Sequence, residues 1–198
     1  MPEDHPPNRV LVLCTANRCR SVMAAALLAD RLGAADATLV VRSAGVGGSA
    51  GERPPPEVIA VLAGYGLDVS RHRSRIVSAA ELDSASLVLA MAREHARHAA
   101  VAAVSSWPRV FTFKELIRRA DQVRPRRTGE SLADWLAVLN TGRDRFDLLG
   151  EDPADDVADP IGGPLAGYAA AAAEIDQLVR KLAGLGWGWL TGELPGSR

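Results

Sequence analysis

Residues 9–28 read RVLVLCTANRCRSVMAAALL, and the fold turns on how this stretch is divided. Val10 to Leu13 form a continuous apolar run, as expected of a parallel strand covered on both faces. Val22 to Leu28 form a second apolar run that reads as a helix continuing to about Gly33. The short loop between them holds both cysteines of the chain, Cys14 and Cys19. In open α/β sheets, ligands bind at the carboxyl edge where such a loop lies. A helix beginning there offers unpaired N–H groups and a positive dipole end, which suit an anion.

The rest of the chain repeats this alternation. ATLVVRSAG (37–45), SLVLAM (86–91) and RVFTF (109–113) read as further strands. PPPEVIAVLAGYG, REHARHAAVAAV, KELIRRADQV and a long helix opened by Pro164 read as the helices between and after them. Strands alternating with helices predict an α/β domain: a four-stranded, parallel, doubly wound sheet with helices on both faces and a phosphate-binding loop after the first strand. The chain of 198 residues suits one domain, 1–198. Residues 124–156 interrupt the alternation and are expected to be an insertion too short for its own core. The basic RRADQVRPRR is expected to be a solvated surface. The Gly- and Trp-containing tail has no assigned element, and Trp187 and Trp189 are expected to pack on the body.

Composition narrows the function. A net charge of −1 gives no footprint for nucleic acid or an anionic membrane. No run of about 18 apolar residues suggests a membrane span, and MPEDHPPNR lacks the order of a signal peptide, so a cytoplasmic protein with reduced thiols is expected. A metal site is not expected: His95 and His98 read as a solvated face of the helix REHARH. No cofactor is expected.

The loop has the pattern Cys-x5-Arg-Ser. Backbone N–H groups turned inward between Cys14 and Arg20 would cradle a tetrahedral oxyanion. Arg20 would grip two of its oxygens with a bidentate fork. Cys14, in the same positive field, would be a nucleophile aimed at phosphorus. Its attack would form a cysteinyl-phosphate and would need an acid to protonate the leaving group. A buried structural cysteine beside a capping arginine is the plainer alternative.

CTANRCRS at 14–21 resembles the loop of the low-molecular-weight protein tyrosine phosphatases, within the arsenate reductase-like superfamily. The resemblance continues in VRSAG (41–45), GLDVSRHRSR (66–75), LVLAMAREH (87–95) and VADPIGGP (157–164). It implies Cys14 as nucleophile, Arg20 as phosphate clamp and Asp159, beside Pro160, as general acid. It implies a phosphate-binding loop of Thr15, Ala16, Asn17, Arg18, Cys19 and Ser21, in which Ser21 stabilises the Cys14 thiolate. Asn17 would brace the loop, with Ser43 and His72 behind it. Ala16 stands where the family has glycine and would strain a loop that needs positive φ there. Arg18 would add charge at the mouth.

The implied partners are a phosphorylated protein or small phosphomonoester, and inorganic phosphate or another tetrahedral oxyanion. Arsenate reduction with an external thiol, phosphoarginine hydrolysis and non-catalytic phosphate binding are the alternatives. Cys19 is expected either to capture oxidised Cys14 or to fill space under the loop.

Overall fold

The computed structural model describes residues 8–33, 36–150 and 152–188. Four strands, β1 (Arg9–Cys14), β2 (Val40–Gly45), β3 (Leu87–Ala90) and β4 (Val110–Thr112), form one sheet. Their order is β2-β1-β3-β4 and every pairing is parallel. β1 and β3 are therefore central, which accounts for their unbroken apolar runs.

Alternation along β1 divides the core in two. Val10 and Val12 join one apolar cluster, while Leu11 and Leu13 join the other. The first cluster lies beneath α1 (Arg20–Gly33), α2 (Pro56–Ala63), α5 (Phe113–Val123), α6 (Leu132–Asn140) and α7 (Leu165–Trp187). The second lies beneath α3 (Ala79–Ser84) and α4 (Arg93–Ala102). Both faces of the sheet are covered, as a parallel sheet requires.

The sequence reading omits α3, although its start signal is present. Ser78 accepts a hydrogen bond from the Glu81 N–H, and Glu81 accepts one from the Ser78 N–H, a complete capping box.

Residues 124–156 return to the main body. Ser131 caps α6, whose Trp135 is fully buried in the first cluster. Trp135 Nε1 donates to the Arg124 carbonyl at 3.2 Å, and its ring packs against Gly186 of α7. A Cβ at Gly186 would approach that ring to 3.3 Å, so glycine allows the close contact.

The basic run is not simply solvated. Arg119 donates to the carbonyls of Leu139 and Thr141 at 2.5 and 2.6 Å, completing the carboxyl end of α6. Arg126 donates to the Gly186 carbonyl at 3.0 Å, and Arg118 pairs with buried Asp155 at 2.6 Å. These arginines tie the excursion to the body. Trp187 also packs on the body, with Nε1 3.4 Å from Asp36 Oδ2, whereas Trp189 lies outside the described residues. Among the described residues, no helix is long and apolar enough to cross a membrane.

Candidate active site

The loop from Cys14 to Arg20 joins the carboxyl end of β1 to the first turn of α1. Cys14 is buried, with its Sγ 3.0 Å from Ser21 Oγ. Ser21, in the first turn of α1, thus places a hydroxyl where it can donate to a thiolate.

Asn17 holds the loop in shape. Its φ of 53° makes it the sole non-glycine residue with positive φ among those described. Asparagine tolerates this left-handed conformation. Fully buried, it donates from Nδ2 to Ser21 Oγ at 3.1 Å and to Ser43 Oγ at 2.9 Å. Its Oδ1 accepts from the Arg75 backbone N–H at 3.1 Å. Its backbone carbonyl lies 2.9 Å from His72 Nε2, and burial pushes the His72 pKa down. A ring held neutral must carry its proton on Nε2 to donate to that carbonyl. Ser43 and His72 thus both meet Asn17. Arg75 is a partner the sequence reading missed, because it contributes a backbone N–H rather than a side chain.

Ala16 does not have the positive φ that would make glycine necessary; Asn17 takes that conformation instead. The close approach falls on Gly45, where a Cβ would come within 2.7 Å of the Thr15 carbonyl oxygen. Glycine at the end of β2 therefore lets the loop pass beside the strand.

Arg20 joins the loop to a segment far along the chain. Its Nη1 donates to the Val157 carbonyl at 3.0 Å. Its Nη2 is 2.6 Å from Asp159 Oδ2 and 3.4 Å from Thr15 Oγ1. Met91, just after β3, links the same parts through its backbone. Its N–H donates to the Leu13 carbonyl at 2.9 Å, and its carbonyl accepts from the Val157 N–H at 2.8 Å. The Asp-Pro segment is thereby set over the loop. Asp159 remains partly exposed, and its Oδ1 accepts from the Ile161 N–H at 3.2 Å, a turn bond just past Pro160.

Asp155 and Asp156, the neighbouring carboxylates, are otherwise engaged. Asp155 pairs with Arg93 and Arg118, and Asp156 accepts from the Arg93 backbone N–H at 2.7 Å.

Arg18 does not project free charge into the mouth. It pairs with Glu52 at 2.9 Å and donates to the Arg53 carbonyl at 3.1 Å. Cys19 faces inward, and burial pushes its thiol pKa up to about 12. Both cysteines are free thiols.

His95 departs most from expectation. It is fully buried, whereas His98 is exposed. Its Nε2 lies 3.0 Å from Thr15 Oγ1, and burial, with Arg20 nearby, pushes its pKa down to about 3. The helical pattern of REHARH does not reveal this, because His95 lies in the first turn of α4, beside the loop end of β1. Among the described residues, no group of three or more His, Cys, Asp or Glu side chains could hold a metal ion.

A strand-end cysteine, a helix-start arginine and a carboxylate brought over both can support cysteine-dependent phosphoryl transfer. They place the chain in the class of small α/β phosphatases. Residues 9–126, more than half the chain, match the family described as low molecular weight phosphotyrosine protein phosphatase. The chain belongs to this family of hydrolases. The matched region includes the whole Cys14–Ser21 loop and ends before Asp159.

A relative from Ralstonia solanacearum, described as a probable low molecular weight protein-tyrosine-phosphatase EpsP, is 31% identical over 69% of this chain and 92% of its own. The solved low molecular weight protein tyrosine phosphatase of T. tengcongensis is 31% identical, with a TM-score of 0.67 over 88% of this chain and 97% of its own. The YwlE arginine phosphatase of Geobacillus stearothermophilus is 30% identical, with a TM-score of 0.66 over 89% of this chain and 91% of its own.

Proposed function

We propose that this protein hydrolyses phosphotyrosine in proteins through a cysteinyl-phosphate intermediate. Cys14 attacks phosphorus, with Ser21 stabilising the thiolate. Arg20 clamps the phosphoryl oxygens, with the loop backbone from Thr15 to Arg20 as cradle. Asp159 protonates the departing phenolate, and its carboxylate then activates the water that hydrolyses the intermediate. Asn17, Ser43 and His72 keep the loop in this shape, and Pro160 fixes the segment that carries Asp159. The observation that carries the cysteinyl-phosphate chemistry is Arg20 Nη2 at 2.6 Å from Asp159 Oδ2, above a loop in which Cys14 Sγ is 3.0 Å from Ser21 Oγ, and the family match supports phosphotyrosine as the substrate. This proximity supports reading Cys14, Arg20 and Asp159 as nucleophile, clamp and acid of one site.

Phosphoarginine is the second reading, supported by the likeness to YwlE. The family membership does not favour arsenate reduction. We take residues 1–198 as one phosphatase domain with an insertion at 124–156, a view supported by Trp135 in the common core. A cytoplasmic site of action accords with the free thiols of Cys14 and Cys19.

The test is steady-state hydrolysis of phosphotyrosine and phosphoarginine peptides side by side, with arsenate reduction by small thiols in parallel. A higher kcat/KM on phosphotyrosine is expected. A higher value on phosphoarginine would move the assignment to the second reading. Turnover of arsenate alone would reject both.

A further inference from the structure

The geometry points to His95 as a positioning residue that fixes the Thr15 hydroxyl as an acceptor for Arg20, and so holds the phosphate clamp in place. The inference rests on the reading of Arg20 as that clamp.

His95 Nε2 is 3.0 Å from Thr15 Oγ1, a hydrogen bond, and 3.1 Å from Glu94 Oε1, an ion-pair distance without one. A bare Nε2 lone pair facing that carboxylate oxygen would be repelled, which favours the ring proton on Nε2 and its donation to Thr15. Nδ1 then carries a lone pair. It is buried and has no hydrogen-bond partner among the described residues. Burial and the Arg20 charge both oppose a second ring proton. His95 is therefore a neutral donor of one tautomer.

Thr15 stands at the mouth of the loop, where its hydroxyl has two lone pairs and one hydrogen. Arg20 can only donate, so Thr15 Oγ1 accepts from its Nη2 across 3.4 Å. His95 also donates to that oxygen. With both lone pairs engaged, the hydroxyl cannot turn away from Arg20 without losing the His95 bond. The long Arg20 side chain is thereby supported on three sides, by Val157, Asp159 and Thr15. The Asp159 contact must loosen when that carboxyl serves as an acid, leaving Val157 and Thr15 to hold the fork.

The Nε2 contact to Thr15, itself in contact with Arg20, is what separates this role from simple packing. A leucine in the same space would bury no polar atom. The imidazole leaves one ring nitrogen without a partner while the other contacts the loop, an exception to the usual pairing of buried polar groups.

The test uses the full chain and the variants His95→Leu, His95→Gln, Thr15→Val, Thr15→Ser and the Thr15→Val/His95→Leu double. The readouts are kcat/KM on an aryl phosphate and the competitive inhibition constant of inorganic phosphate. Hydrogen bonds to charged groups predict that His95→Leu and Thr15→Val each weaken both by roughly 10-fold. The double variant should be no worse than the weaker single, because both remove one chain of contacts. Gln at 95 and Ser at 15 restore a donor and a hydroxyl, and should recover most of the loss.

Nitrogen NMR of the wild type should show His95 protonated on Nε2 alone, without titration between about pH 5 and 9. Additive losses in the double variant, or a ring protonated on Nδ1, would overturn the proposal. If His95→Leu does not fold, the Thr15 pair and the NMR tautomer still decide it. Arg20→Lys separates the two levels. Unchanged phosphate inhibition in that variant would reject Arg20 as the clamp. Weakened inhibition together with additive His95 and Thr15 losses would reject only the role of His95.

Discussion

Arg20 Nη2 lies 2.6 Å from Asp159 Oδ2, although the two residues are 139 positions apart in the chain. If Arg20 is the proposed phosphate clamp, this carboxylate and a bound oxyanion compete for the same guanidinium donors. Asp159→Asn removes the competing negative charge, so inorganic phosphate should bind at least as tightly as to the wild type. Hydrolysis of esters with poor leaving groups should fall by roughly 10²–10⁴-fold, with a smaller loss for nitrophenyl phosphate. Kinetics across a series of leaving groups measures this. An equal loss on all of them would make Asp159 a structural residue rather than an acid.

Asn17 makes contacts to Ser21, Ser43, Arg75 and His72 from a left-handed backbone. Asn17→Ala keeps the strain and leaves buried partners unsatisfied. A loss of about 1–3 kcal/mol in unfolding free energy is expected, with weaker phosphate binding. Asn17→Gly relieves the strain but loses the same hydrogen bonds, so it should fall between alanine and wild type. Denaturant unfolding of the three proteins checks the order.

Much of this site was legible in the sequence, and the gaps have physical causes. The apolar run of β1 is unbroken because both of its faces are covered, so strand, loop and helix could be placed from Val10 to Leu28. Cys14, Arg20 and Ser21 lie within that one loop. Asp159 is far along the chain and was reached through a resemblance in the Asp-Pro segment.

Other features were hidden. Arg75 braces Asn17 through a backbone N–H, which no side-chain pattern encodes. His95 looked like a surface residue because its neighbours in the helix are polar, yet it faces the loop. The arginines of 118–127 look solvated because charge runs usually are, while several of them complete helix ends or pair with buried carboxylates. The capping box of α3 is readable from Ser78 and Glu81, but its short helix lies outside the strand–helix alternation that guides the reading.

Trp135 tests whether residues 124–156 belong to the common core. Trp135→Ala should destabilise the whole protein by about 3–5 kcal/mol, the usual cost of deleting a buried aromatic ring. One cooperative transition with a lowered Tm is expected. Unchanged unfolding of the body would mean that the excursion folds apart from it.

Cys19 is buried beneath the same loop as Cys14, with its thiol pKa pushed up to about 12. If peroxide oxidises Cys14 to a sulfenic acid, attack of the Cys19 thiolate on its sulfur forms a Cys14–Cys19 disulfide and expels hydroxide, which takes up a proton from solvent as water. Little Cys19 is thiolate near neutrality, so capture should quicken as pH rises from 7 to 9. After peroxide and then dithiothreitol, wild type should regain more activity than Cys19→Ser, and the difference should widen at higher pH. Equal recovery would leave Cys19 as a packing residue.

The central claim is that the phosphoryl group passes through the Cys14 sulfur. Rapid acid quench during turnover of an aryl phosphate, followed by peptide mass spectrometry, tests it directly, with Cys14→Ser run beside the wild type. The account predicts a phosphoryl group on Cys14 in the wild type, and no turnover in Cys14→Ser despite retained phosphate binding. A phosphoryl group on another residue, or sustained turnover by Cys14→Ser, would contradict it.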